Sequence, residues 1–337
     1  MEARTRQDPE DGGRPAGSPR GANPVPVEFG GDPVVWAAWL YYEDSLNQSE
    51  VAERLGVSRA TVVNYLQEAR QRGIVRISIA AEALGTLRLS REVAARYGLQ
   101  GCYLIPTSGD ARPLHERLGD AGARVLAERL APDDILGVSW GRTVLHLARA
   151  LPHHDMPGVT VVQVTGSEVG TAAFSPELCT SILANRLGAR CVNLHAPAFL
   201  STQAVRDILL AEPALVRQFE LIRSCTKIVY GVAGLTEDSM VFESGFMSRK
   251  DGLPYIAAGA VGVAIGRFFD AEGAHVVGSH DSRMVGVSLD ELRAIPERLC
   301  VAGGPDKEIA VAGALRGGYA THLVTDDRTA RRLLELH

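Results

Sequence analysis

Residues 48–77 read QSEVAERLGVSRATVVNYLQEARQRGIVRI, and this stretch decides how the rest of the chain is read. Ser49 stands at a helix N-cap position, where its hydroxyl accepts from the first free amides. Val51, Ala52 and Leu55 then fall on one side of a helix. Gly56 ends it, because glycine enters the left-handed conformation without steric cost. Val57 plugs the turn, and Ser58 caps a second helix whose inward stripe is Val62, Leu66 and Ala69. Two short helices joined by a glycine-containing turn make a helix-turn-helix. An ordinary helical hairpin is the plainer alternative. After Gly73, the run Ile74, Val75, Arg76, Ile77 alternates like a strand and is expected to form a wing. The second helix exposes Arg59, Thr61, Asn64 and Tyr65 at its start, the end that enters a major groove. Ser58, Ala60 and Arg70 complete that face. Arg54, Arg70, Arg72 and Arg76 are placed to meet phosphates.

A chain of 337 residues is long enough for two domains and a real core. Its hydrophobic fraction of 46% and charged fraction of 22% are ordinary for a globular protein. The net charge of −5 excludes a protein that is basic throughout, but a small basic module can sit on a larger acidic body. Five cysteines (Cys102, Cys179, Cys191, Cys225, Cys300) show neither zinc spacing nor a disulfide framework, as expected of buried thiols in a cytoplasmic protein. No apolar run reaches transmembrane length and the N-terminus lacks a signal-peptide hydrophobic region, so no membrane partner is expected.

Residues 1–31 are rich in Gly, Pro, Arg and acidic residues, too poor in apolar surface to offset ordering entropy, and are expected to be disordered. The DNA-binding domain is assigned to 32–80. Pro33 suits a helix first turn, and Trp36, Trp39 and Leu40 should pack under the helix-turn-helix. A linker helix is assigned to 81–98. From 99 to 337, short β-branched runs alternate with helical stretches: 102–105, 114–130, 135–138, 143–150, 159–164, 176–187, 189–194, 202–211, 213–225, 227–232, 262–269, 289–295, 300–302, 307–316, 322–325 and 327–336. Strands alternating with helices specify a largely parallel sheet covered on both faces, an α/β fold. Such sheets bind ligands beyond the carboxyl ends of their strands.

Three loops meet that description. GVSWGRT (137–143) follows a strand and opens a helix. Its Gly141 lets an anion approach the free amides, and Ser139, Arg142 and Thr143 add donors. QVTGSEVG (163–170) offers Gln163, Thr165, Gly166 and Ser167. In AGGPDKEIA (302–310), Gly303 and Gly304 follow a strand, and Lys307 opens a helix. A lysine there opposes the helix dipole, which an anionic ligand would offset. A purely structural turn, or a solvated surface lysine, is the plainer reading of each.

The helix-turn-helix with GIVRI, then GVSWGRT, VVQVTGS, GAVGVAIGRFFDAEG (259–273) and VAGGPDKEIAVAGALRGGYATHLVTD resemble the SorC family of bacterial transcriptional regulators, from Pro33 to the end of the chain. The resemblance implies a winged helix-turn-helix domain plus a larger α/β domain similar to sugar-phosphate isomerases, for effector binding and oligomerisation. It implies operator DNA and a phosphorylated sugar or polyol effector as partners, a homotetramer, and control of carbohydrate metabolism genes. It places Ser139, Gly141, Arg142, Thr143 and Lys307 at effector positions. One departure stands out. Val263 occupies a position that is usually acidic in the family, so the hydroxyl-binding carboxylate is missing, and Asp270 or Asp306 is left to compensate.

The alternative is an isomerase-like enzyme on the same α/β body. It needs a general base beside the loops, yet the histidines form no spaced constellation with acids. His153 and His154 beside Asp155 lie in a Pro-bounded loop, where solvation is the plainer reading than metal binding. No catalytic residue, metal or cofactor is assigned.

Overall fold

The computed structural model describes residues 22–76, 87–107, 110–167, 174–237, 239–243 and 247–336. The chain divides into two compact units, Met1–Ser78 and Ile79–His337. In the first, α1 (Pro33–Tyr42), α2 (Gln48–Leu55) and α3 (Arg59–Gln71) enclose a core of Trp36, Leu40, Val51, Leu55, Val62 and Leu66. Gly56 ends α2 at φ 70°, and the Ser58 hydroxyl accepts from the Thr61 amide, as the sequence predicts.

Four details differ from the sequence expectation. The N-cap of α2 is Asn47 rather than Ser49, because Glu50, three residues on, returns a hydrogen bond to the Asn47 amide and closes a capping box. Trp39 is half exposed, with its ring tilted against Phe29 at 6.0 Å, while Trp36 and Leu40 are buried. Residues 22–31 belong to the tail expected to be disordered, yet they are held on this unit. Asn23 donates its amide to the Leu55 carbonyl and its side chain to the Arg54 carbonyl, satisfying the end of α2, and Phe29 stacks on Trp36. Finally, Ile74–Arg76 form no strand, since the Val75 amide turns back to the Ala69 carbonyl. The rest of the expected wing, and residues 1–21, lie outside the described residues.

The second unit opens with α4 (Leu87–Tyr97) and β1 (Gly101–Ile105). The segment expected to link the domains therefore holds a helix of this unit. Val93 is fully buried, and the Tyr97 hydroxyl donates to the Leu333 carbonyl at 2.9 Å. Next come α5 (Leu114–Arg129), β2 (Ile135–Val138), α6 (Arg142–Ala150), β3 (Thr160–Gln163), α7 (Pro176–Arg186) and β4 (Arg190–Val192). Helices α8 (Gln203–Leu210) and α9 (Pro213–Arg223) precede β5 (Lys227–Tyr230).

The run expected as one strand over 227–232 breaks at Gly231. A new strand, β6 (Val232–Gly234), leaves the sheet there. After α10 (Met240–Glu243) and α11 (Arg249–Ala257), neither of them expected from the sequence, β7 (Gly262–Ala264) and β8 (Arg267–Phe269) form a hairpin. It replaces the single strand expected over 262–269, because Ile265 and Gly266 both take positive φ and reverse the chain. The chain closes with α12 (Leu289–Ala294), β9 (Glu297–Val301), α13 (Glu308–Arg316), β10 (His322–Asp326) and α14 (Asp327–Glu335).

Seven strands form one sheet in the order β1-β10-β9-β5-β2-β3-β4, every pair parallel. Alternate side chains go to opposite faces, so the strands are apolar on both sides. Leu136, Val138, Val161, Val229 and Val301 meet α5, α6 and α7 on one face. Val162, Ile228, Tyr230, Cys300 and Leu323 meet α9, α12, α13 and α14 on the other. Strands β6, β7 and β8 make a separate antiparallel sheet.

Candidate functional site

The strand order determines which loops meet. Because β5 lies between β9 and β2, the chain leaving β5 runs between the loop after β2 and the loop after β9. A cavity of about 210 Å³ lies among them. Ser139, Trp140, Gly141 and Arg142 come from the first loop, Asp306 and Lys307 from the last, and Gly231–Gly234 of the β5–β6 segment lies between. The β7–β8 hairpin adds Val263, Ile265 and Gly266, while Ser239 precedes α10 and Val241 lies within it.

Gly141 is the N-cap of α6 at φ 129°, and Lys307 is the N-cap of α13. Two helix N-termini therefore border one cavity, each with free amides and a positive dipole end. Neither Arg142 nor Lys307 has a carboxylate within 4 Å among the described residues. Burial pushes the Lys307 ammonium below its ordinary value. Asp306 opposes that, and Arg142 adds to it. Burial and then the charge of Arg142 also lower His115, at the start of α5. This is a region with an excess of positive charge.

Not all of the expected effector residues reach the cavity. Ser139, Gly141, Arg142 and Lys307 line it, and Asp306 joins them. Thr143 instead points into the core as a buried residue of α6. The loop after β3 is diverted, since β3 lies on the far side of β2. Thr165 bridges Gly286, the Gly166 amide donates to the Val285 carbonyl, and Ser167 pairs with Pro197. Of QVTGSEVG, residues 168–170 lie outside the described residues. Gly303 and Gly304 belong to the β10 end. The Gly304 amide donates to Asp326 Oδ2 at 3.0 Å and Thr329 Oγ1 at 2.9 Å, and a Cβ on Gly303 would strike Asp326. Asp270 is also elsewhere, its carboxylate taken by the amides of Glu272 and Ala274.

The sequence reading missed Trp140, Phe174, the β6 residues, Ser239, Val241 and Ile265. The glycines of YGVAGLT, directly after a strand, are the signal that would have found β6. Trp140 and Phe174 stack at 6.2 Å with 13° between their planes. Ile265 holds φ 48° although it is β-branched, a conformation that costs roughly 1–2 kcal/mol. It is nevertheless only 2% exposed, and it lines the cavity.

In the first unit, Arg59, Ala60 and Asn64 lie on the exposed side of α3. Arg59 Nε donates to Gln48 Oε1 at 3.2 Å, so α2 orients it. Ser58 is occupied as the cap and shares a hydrogen bond with Thr61. Tyr65, expected on the exposed face, is half-buried against the core. Arg70 donates to the Leu66 carbonyl. Arg72, expected at phosphates, pairs with Asp32 and Glu68.

Residues 81–335 match the family described as "Putative sugar-binding domain". The chain is 36% identical over 312 residues to the uncharacterized transcriptional regulator YjhU of Escherichia coli K12, covering 91% of this chain and 95% of that one. It is 31% identical over 311 residues to the transcriptional regulator LsrR of Klebsiella pneumoniae, covering 90% and 93%. The full-length sorbitol operon regulator SorC from Klebsiella pneumoniae superposes with a TM-score of 0.77 at 27% identity, over 89% of this chain and 97% of that one.

Proposed function

Because this chain belongs to the SorC family of sugar-binding transcriptional regulators, we propose that its cavity takes a phosphorylated sugar or polyol whose binding alters its hold on operator DNA. The relatives are transcriptional regulators, and the isomerase-like enzyme is set aside on that ground. One observation carries the phosphate reading. Arg142 and Lys307, brought from separate loops, flank one cavity beside two helix N-termini, and neither has a carboxylate within 4 Å among the described residues, so the two cations outnumber Asp306 in the lining. A phosphate group supplies the missing charge and accepts from the free amides.

The DNA reading rests on α2 and α3 as a helix-turn-helix. Arg59 and Asn64, with Thr61, Ala60 and Ser58 alongside, are proposed to face base edges, and Arg70 a phosphate. A single helix-turn-helix reads a short half-site, so specific binding calls for a homo-oligomer, here proposed as a tetramer built on the second unit.

The test is a thermal-shift screen of the purified protein against sugars and polyols with and without a phosphate. A ligand at about one hundred times its dissociation constant adds about 2.7 kcal/mol of stability. Stabilisation by phosphorylated compounds alone is the expected result. Stabilisation only by their unphosphorylated parents would sink the reading.

A further inference from the structure

The cation pair accounts for an anion but not for the remainder of a ligand. Much of the other lining is apolar: Val241, Val263 and Ile265, with the stacked rings of Trp140 and Phe174. Val263 of β7 and Ile265 of the hairpin turn both line the cavity, so the hairpin presents two aliphatic groups to the same space. Ile265 does so against its backbone. A two-residue turn with positive φ at both positions favours Asn, Asp or Gly at the first, and a β-branched residue there is an outlier. Such strain at a cavity wall points to function. Ser239 is 9% exposed and lines the same cavity, and its Oγ has no hydrogen-bond partner among the described residues.

On the reading that Arg142 and Lys307 hold a phosphate, we infer that the effector is a deoxygenated sugar phosphate. Its carbon skeleton presents CH₂ or CH₃, not hydroxyl, to Val241, Val263 and Ile265, and a polar group of the ligand meets Ser239 Oγ. A hydroxyl pressed against the three aliphatic groups would surrender its hydrogen bonds to water and gain none. The cavity of about 210 Å³ is smaller than drug-sized sites, which limits the ligand to roughly one short-chain monophosphate.

The experiment titrates the full-length protein calorimetrically with two matched pairs, ribose 5-phosphate with 2-deoxyribose 5-phosphate and glucose 6-phosphate with 2-deoxyglucose 6-phosphate, beside inorganic phosphate. In at least one pair the deoxy compound should bind about tenfold to a hundredfold more tightly than its parent. Val263→Thr, which keeps the shape and adds a hydroxyl, should shrink that preference. If the parents bind as tightly as their deoxy partners, or if Val263→Thr leaves the preference unchanged, the inference is overturned and the phosphate reading stands. If none of the four esters binds more tightly than inorganic phosphate, the inference falls together with the phosphate reading.

Discussion

A Cβ placed on Gly234 would stand 2.3 Å from the backbone carbonyl oxygen of Asp306. Strand β6 therefore runs flush against the turn that carries Lys307, and only glycine permits it. Gly234→Ala must push the turn away, because the obstacle is backbone and not a flexible side chain. We expect a loss of roughly 1–3 kcal/mol of stability, as for overpacked sites, together with weaker effector binding. Denaturant unfolding alongside ligand titration checks both, and native behaviour in the two assays would contradict the prediction.

Lys307→Ala should weaken effector binding about tenfold to a hundredfold, the worth of one charge-assisted hydrogen bond. Its DNA affinity without effector should barely move, since α3 belongs to the other compact unit. Gel shift with and without effector separates the two effects. An intact effector response would remove Lys307 from the site.

On α3, Asn64 is exposed and its side chain is hydrogen-bonded to no protein group among the described residues. Asn64→Ala should lower the preference for an operator over random DNA by roughly 1–3 kcal/mol, as for loss of a bidentate base contact. The ratio of the two affinities at fixed salt is the readout. A fall in both affinities together would mark Asn64 as a phosphate contact instead.

The N-cap of α2 gives a paired prediction. Asn47→Ala removes the capping box and should destabilise the first unit by about 1 kcal/mol. Ser49→Ala, at the second helical position, should cost little. Equal losses in thermal melts of the two variants would restore the assignment of Ser49 as the cap.

Acid should destabilise the second unit through His322. Burial, with Arg129 nearby, pushes its imidazole down to about 4, whereas the unfolded chain titrates near 6.5. The unfolded state thus binds the extra proton first, so stability is full above about pH 6.5 and is lost as pH falls through that window, by up to about 3 kcal/mol. His322→Gln should lose less stability than the native protein between about pH 7 and about pH 4. Parallel losses in urea unfolding would assign the acid sensitivity to other groups.

Much of the helix pair was legible because its determinants are local. Gly56, Ser58 and the stripe Val62, Leu66, Ala69 act within a few residues of the chain, where helical spacing settles the geometry. The alternation of apolar runs marked the parallel sheet for a similar reason: strands buried on both faces leave little freedom in composition. Asn47 was also readable, since Glu50 stands three residues beyond it, but Ser49 offered the same chemistry nearby. Trp39 was not, because helical spacing does not say which aromatic faces inward when almost every position is apolar.

By itself, the sequence determined the two classes of element, the glycine-bearing loops after strands, and the presence of the cationic residues Arg142 and Lys307 in two of them. Only the tertiary structure decided which loops share a cavity. Strand order is fixed by pairing between segments far apart in the chain, and nothing in a loop records the neighbours of its strand. The placement of β5 between β2 and β9 brought Gly231–Gly234 to Arg142 and Lys307. The same order left Thr165–Ser167 beyond β2, bonded to Val285, Gly286 and Pro197.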